Sequence, residues 1–295
     1  MRLLVFGMGF SARHFAKRRL AQGDSVTGTV RTSDKAASLA RLGFTMRVFS
    51  NGADSNAIET DIASSDAVLV SVPPNTDGDP VLQSYAAQLA TAPNLRWIGY
   101  LSTIGVYGDH GGAWVDETTP VNATSIRSLH RAAAERAWLS FGGSSGKSVH
   151  IFRLAGIYGP GRNQLMQLSE GTAKRVIKPG QVFNRVHVED ISRTLDASLS
   201  RPRPGGIYNV TDDEPAPPQD VVAYAARLCG LDPPPEIKLE DAQLTPMGRS
   251  FYDENKRVRN RLLRDELGVT LAYPTFREGL TSLYNDGEIA KTQQP

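Results

Sequence analysis

Gly7-Met8-Gly9-Phe10-Ser11-Ala12 fits the spacing G-x-G-x-x-A, between a short apolar run and a helix-like stretch. That context gives the spacing its meaning. Gly7 permits a tight turn, and Gly9 presents no side chain to an approaching diphosphate. Ala12 is small enough for the helix to pack on the strand. Phe10 and Ser11 open the helix, whose free N–H groups and positive dipole end suit phosphate. Dinucleotide binding is the expected chemistry, and a structural turn is the alternative. The next apolar run ends in Gly28-Thr29-Val30-Arg31-Thr32-Ser33. An acid at this point binds ribose hydroxyls in NAD sites, and none is present. Arg31 can instead pair its guanidinium fork with a 2′-phosphate, with Thr32 and Ser33 donating hydrogen bonds. NADP is therefore expected ahead of NAD, with an exposed loop arginine as the alternative reading. Val72 and Pro73, in Ser71-Val72-Pro73-Pro74, are expected beside the cofactor ribose; they serve equally as strand punctuation.

These groups need elements to hold them. Apolar runs at 2–6, 25–30, 45–49, 67–72, 97–102 and 149–154 read as buried strands. Helical patterns lie between them at 11–22, from Ser33 to Gly43, at 81–91 and at 124–141, with Ser33 as a candidate N-cap. Alternation of this kind predicts an α/β fold, a Rossmann-type doubly wound parallel sheet. The second half is broken by RPRPGG, PAPP and PPP. It offers a strand at 206–210 and helices at 219–229 and near 255–267. The expected organisation is a dinucleotide-binding domain over 1–160, completed by about 186–210. A smaller C-terminal substrate lobe would come from 161–185 and 211–295.

Four segments, in order and at the right spacing, resemble the extended and atypical short-chain dehydrogenase/reductase superfamily, of the NAD-dependent epimerase/dehydratase type. They are GMGFSA at 7–12, LSTIGVYGD at 101–109, RLAGIYGPGR at 153–162 and RVHVEDI at 185–191. The stretch at 255–280 is similar to the tail of the same group. The resemblance implies a Ser/Thr–Tyr–Lys set. Its hydroxyl falls on Thr103, with Ser102 beside it near the cofactor. Counting back from Glu135, the tyrosine and lysine positions fall on Arg127 and Arg131. Arginine stays protonated at any working pH and cannot stand in for the tyrosine acid. Tyr107, His130 and a water held by Thr103 are the other candidates for proton transfer. Both Tyr107 and His130 also have ordinary structural readings. Arg127 and Arg131, one helical turn apart, either bind an anionic substrate or are solvated. A literal Tyr-x-x-x-Lys at Tyr252–Lys256 falls after the sheet is complete and is set aside.

The loop after the sixth strand, which faces the ligand crevice, carries Tyr158, which the resemblance implies lies near the nicotinamide, and Arg162, a candidate anion contact; Arg185 is a further one. His187 and Asp190 read as structural, with Asp190 as a helix cap. A net charge of +2 argues against a polyanion-binding surface, so no nucleic acid is expected. No apolar run reaches the roughly 18–20 residues of a membrane span. A single cysteine, Cys229, rules out an internal disulfide and reads as packing filler, so the default location is cytoplasmic. No metal site is expected. The partners expected are a small molecule and, from the resemblance, a second copy of the chain in a homodimer. Two functions stay open. One is an NADP-dependent oxidoreductase or epimerase-like enzyme on a small polar or anionic substrate. The other is a non-catalytic NADP-binding sensor.

Overall fold

The computed structural model describes residues 1–50 and 54–289. The chain opens with β1 (Arg2–Phe6), α1 (Phe10–Ala21), β2 (Ser25–Val30), α2 (Ser33–Ala40), β3 (Thr45–Val48) and α3 (Ser55–Ser64). It continues through β4 (Ala67–Val70), α4 (Pro80–Thr91), β5 (Trp97–Thr103), β6 (Trp114–Val115), α5 (Ile126–Ser145) and β7 (Ser148–Leu154). A 3-10 turn, Ile104–Tyr107, follows β5 directly. The remainder is β8 (Gly156–Tyr158), α6 (Gln164–Ser169), β9 (Arg175–Ile177), β10 (Arg185–His187), α7 (Val188–Ser200) and β11 (Gly206–Val210). Then come α8 (Pro218–Leu228), β12 (Glu236–Lys238), α9 (Pro246–Ser250), β13 (Arg257–Val258), α10 (Arg261–Asp265) and α11 (Phe276–Asn285).

Seven parallel strands form the central sheet, in the order β11-β7-β5-β4-β1-β2-β3. Strands buried on both faces need no polar alternation. That is why AVLV and LLVF read as plain apolar runs, and both are fully buried. One core layer packs α1 and α7 on the sheet through residues such as Phe15, Ile191 and Leu195. The other packs α3, α4 and α5 through Ile58, Leu89 and Trp138. Chain order reverses between β1 and β4, which leaves a crevice at the strands' C-terminal ends. The later segments add three two-stranded pairs: β10 with β8, β12 with β9, and β13 with β6. A further cluster joins Tyr158, Leu165, Val221, Phe276 and Leu280. Among the described residues, no helix is long and apolar enough to cross a membrane.

Several local expectations are corrected. α3 carries only Ile58 and Ile62 as buried residues, one i,i+4 pair, so its pattern was too thin to read. Thr32, not Ser33, caps α2, its hydroxyl accepting from the Lys35 N–H. The helix expected near 255–267 is instead β13 followed by the short α10. Val258 N–H bonds the Asn184 side chain at 2.8 Å, and Arg257–Val258 pairs with Trp114–Val115. Tertiary pairing overrides local pattern there. Asp190 does not cap α7. His187 does, its Nδ1 accepting from Glu189 N–H, while Asp190 accepts from Ala272 and Tyr273 amides at 2.6 and 3.0 Å. Cys229 is half-buried at the end of α8.

His150 is fully buried in the sheet. Its Nε2 accepts from Arg203 N–H at 2.8 Å, so the proton sits on Nδ1, facing Ser198 Oγ at 2.5 Å. The same Ser198 oxygen accepts from Trp97 Nε1 at 2.9 Å. Burial pushes His150 from 6.5 to about 4, and burial, assisted by His14, pushes His187 equally to about 4. Each folded value lies below the unfolded one. Their stabilisation is thus complete above pH 6.5 and is lost as pH falls toward 4, by on the order of 3 kcal/mol each. Urea denaturation is expected to show a falling midpoint across that window. His150→Gln should flatten part of the slope, and an unchanged slope would contradict the neutral-histidine assignment.

Candidate active site

The crevice at the strand ends holds a groove of about 270 Å³. Phe10 and Ser11 come from the start of α1, and Ser71 from the end of β4. Leu101, Ser102 and Thr103 come from the end of β5, and Arg131 from α5. Leu154, Ala155, Ile157 and Arg162 close the other side. Each strand delivers its last residues to one place because all run in parallel. Sequence reading had named Phe10, Ser11, Ser102, Thr103, Arg131 and Arg162. Ser71 lies in the segment Ser71–Pro74 expected beside the cofactor. Leu101, Leu154, Ala155 and Ile157 were missed, their signal being only their position at or just past a strand's C-terminal end.

The glycine turn is built as its spacing implies. Gly7 has φ +89°, and a Cβ there would lie 3.0 Å from both the Val72 amide and its side chain. A side chain at Gly9 would meet only Ser71 Oγ, at 4.0 Å, so that flank of the turn is open. Thr29 fixes the turn by accepting from Gly7 N–H through its hydroxyl at 3.0 Å. Ser11 and Ala12 are buried against the sheet. Arg31, Thr32 and Ser33 are exposed together just past β2. Arg31 makes no ion pair among the described residues. Val72 is half-buried and Pro73 exposed.

Two adjacent hydroxyls on β5 have opposite hydrogen-bonding states. Ser102 is buried and donates to Glu135 Oε1 at 2.5 Å, so toward the groove it can only accept. Thr103 Oγ1 accepts from Gly105 N–H at 3.1 Å, which leaves its own hydrogen for a ligand. Arg131 uses one nitrogen, Nη1, to bond the Tyr100 hydroxyl at 2.9 Å and the Leu101 carbonyl at 2.8 Å. Its other donors make no bond among the described residues, and Arg131 lines the groove.

Five sequence candidates, Tyr107, Tyr158, His130, Arg127 and Arg185, do not line the groove. Tyr107 is fully buried; its hydroxyl donates to Asn209 Oδ1 at 2.8 Å and accepts from Arg153 Nη1 at 2.9 Å. Burial, offset only in part by Arg153, pushes it up to about 12. It is a structural phenol, not an acid for the groove. Tyr158 is buried in the cluster around Phe276, its hydroxyl 3.5 Å from the Thr275 carbonyl, with burial pushing it well up. His130 precedes Arg131 and therefore points about 100° around the helix from it. It is half-buried and does not line the groove. Arg127 is exposed, its guanidinium 5.7 Å from the Phe251 ring centroid. Arg185 is buried and bonds the Phe183 and Ala216 carbonyls at 3.0 and 3.2 Å. Tyr252 packs against Phe183, and Lys256 pairs with Glu254 at 2.5 Å, so the literal Tyr-x-x-x-Lys is structural.

Beneath the groove lies a closed polar network. Glu135 and Arg153, with side chains 3% and 4% exposed, pair at 2.8 Å. Ser102 feeds Glu135 from β5, and Arg153 reaches Tyr107 and through it Asn209 on β11.

A glycine turn at the switch point of a parallel sheet defines a Rossmann-type fold. The model of the NAD dependent epimerase/dehydratase family matches residues 3–211. Protein YeeZ of Escherichia coli (strain K12) is 30% identical over 285 residues, 92% of this chain and 96% of its own length. A solved structure of a functionally unknown conserved protein from Silicibacter pomeroyi DSS is 48% identical, with a TM-score of 0.87. That match covers 97% of this chain and 99% of the other. The dTDP-glucose 4,6-dehydratase of Bacillus anthracis str. Ames, solved in complex with NAD, shares the fold at a TM-score of 0.74 and 19% identity, over 98% of this chain and 97% of that one. The chain belongs to the NAD-dependent epimerase/dehydratase family.

Removing one member of a buried ion pair strands its partner, at a cost of about 3–5 kcal/mol. Glu135→Gln is therefore expected to lower the urea midpoint markedly. The paired change Glu135→Leu with Arg153→Met should recover much of the loss. Equal stability of Glu135→Gln and the wild type would remove the network from the account.

Proposed function

We propose that this chain binds NADP(H) along the groove and acts as an oxidoreductase on a small anionic carbonyl or alcohol compound. Segments 161–185 and 211–295 would present that substrate. The observation that carries this reading is the groove's lining. Among the described residues its only charged side chains are Arg131 and Arg162, and Thr103 holds a hydroxyl hydrogen in reserve. Two guanidinium groups in a concave site favour an anionic guest.

The residues present fit a dinucleotide. A turn that a Cβ at Gly7 would fill, left open at Gly9, admits a diphosphate against the amides of Phe10, Ser11 and Ala12. Arg31, Thr32 and Ser33 would take the 2′-phosphate, and Val72, Pro73 and Ser102 would lie along the ribose and nicotinamide side. The bound nicotinamide supplies or accepts a hydride. The chain's own part is electrostatic. Thr103 donates to the reacting oxygen, and Arg131 sets a fixed positive charge beside it. Leu101 and Tyr100 hold Arg131 in place through Nη1, so little reorganisation is needed. Among the described residues, no Tyr, His, Lys, Cys, Asp or Glu lines the groove. The proton exchanged with the oxygen therefore comes from water.

That same lack of a titrating group favours a second reading, a non-catalytic NADP-binding sensor. Turnover separates the two. Purified protein would be titrated with NADPH and NADH by fluorescence and then offered 2-oxo acids and phosphorylated ketones. Consumption of NADPH is expected, nearly independent of pH between about 6 and 9, because no group in the groove ionises there. Tight binding without consumption supports the sensor. Thr103→Val is expected to cut kcat by about 10²-fold with NADPH affinity unchanged. Arg31→Ala is expected to weaken NADPH by about tenfold or more and leave NADH alone. Preference of the wild type for NADH would refute the assignment of Arg31.

A further inference from the structure

Arg131 and Arg162 both border the groove, but they come from different elements and have different neighbours. Arg131 is held at the end of β5. Arg162 is exposed and lies over Phe10, its Cζ 5.6 Å from the ring centroid. Phe10 is the first residue of α1, immediately after Gly9, where the helix presents its unsatisfied amides. The 5.6 Å separation is a cation–π contact. The Arg162 guanidinium makes no hydrogen bond among the described residues, which leaves its N–H fork for phosphate oxygens. Arg162 makes no ion pair among the described residues.

The turn that carries Arg162 is tightly held. Gly159 and Arg162 exchange backbone hydrogen bonds at 3.0 and 2.9 Å, which closes a four-residue loop. Glu288, beyond α11, accepts from Gly161 N–H at 2.7 Å and from Asn163 Nδ2 at 3.0 Å. Asn163 also donates to the Gly159 carbonyl at 2.9 Å, while its oxygen caps α6 by accepting from Met166 N–H at 3.1 Å. One carboxylate late in the chain thus fixes the position of a turn whose arginine stands over the glycine motif at its beginning.

We propose that Arg162 is a cofactor-binding residue that closes over the dinucleotide diphosphate at the start of α1, and that Glu288 positions the turn that aims it. This rests on the dinucleotide reading above. It takes Arg162 away from the substrate and leaves Arg131 as the substrate's anion contact. It also makes grip on the cofactor depend on the C-terminal segment.

Binding alone tests it. NADPH affinity would be measured by fluorescence for the wild type, Arg162→Ala, Arg162→Lys, Glu288→Gln and the double variant Arg162→Ala/Glu288→Gln. 2′-Phospho-ADP-ribose, which keeps the diphosphate, and adenosine 2′-monophosphate, which lacks it, would serve as competitors. Arg162→Ala is expected to weaken NADPH and 2′-phospho-ADP-ribose by about tenfold, and adenosine 2′-monophosphate not at all. Arg162→Lys should fall between, keeping charge without the fork, and carries the test where the alanine variant is unstable. Glu288→Gln should give a smaller loss that disappears in the Arg162→Ala background. Wild-type-like NADPH binding by Arg162→Ala, or a loss confined to substrate KM, would overturn the assignment while leaving the dinucleotide reading standing. Failure of the wild type to bind either dinucleotide would overturn that reading and this assignment together.

Discussion

The pairing of Glu135 with Arg153 is the constraint on which the groove depends. The two come from α5 and β7, and each side chain is almost wholly out of water. Charges buried this deeply persist only when every lone pair and proton is satisfied. Glu135 takes three donors, from Ser102 and from two nitrogens of Arg153. Arg153 spends its remaining nitrogen on the Tyr107 hydroxyl, which passes its own proton to Asn209. Five structural elements are thereby tied at one point: β5, the 3-10 turn, α5, β7 and β11. The strand ends that line the groove cannot shift independently.

That network also decides the chemistry available above it. It takes the Ser102 proton and buries Tyr107, so neither can give a proton to a ligand. What it leaves is Thr103, one residue on, outside the network and hydrogen-bonded so that its proton is uncommitted. Arg131 adds charge without acidity. A site furnished this way stabilises negative charge on oxygen by fixed dipoles and a permanent cation. It has no group that ionises near neutrality. A tyrosine with a lysine beside it works by a tuned pKa; under the proposed reading this groove would work by position.

Much of this was visible in the sequence, for identifiable reasons. Strand–helix alternation, the glycine turn and the strand limits of β1, β2 and β11 follow from local pattern, which buried parallel strands state plainly. Thr103 and Arg131 were reachable because their spacing from Tyr107-Gly108 and Glu135 is set by one turn and one helix. Tyr107 and Tyr158 were misplaced because residue type says what a side chain can do, but only packing says whether it is buried away from the groove. His130 failed by direction, since it sits one position from Arg131 on the same helix. Residues 255–267 failed differently. Their helical pattern was outweighed by pairing with β6, more than 140 residues earlier in the chain. Leu154, Ala155 and Ile157 carry no chemical signal, since small and apolar residues line a groove only by where their strands stop.

The later segments matter to the groove because they are stitched to the sheet by backbone-directed bonds. Lys256 Nζ bonds the Gly108 carbonyl at 2.6 Å, just past the 3-10 turn. Asp190, on the helix that packs against α1, holds the amides of Ala272 and Tyr273. Asn260 reaches the Thr211 carbonyl at 2.8 Å, beyond β11. A side chain that bonds main chain fixes the path of a segment without specifying its residues. Such an arrangement allows the later segments to vary in sequence and still return to the same wall. The turn at Gly159–Arg162, set by Glu288 through a backbone amide, belongs to this scheme. The groove therefore has a floor fixed by a charge pair and walls fixed by main-chain contacts, so its polarity and its shape are under separate control.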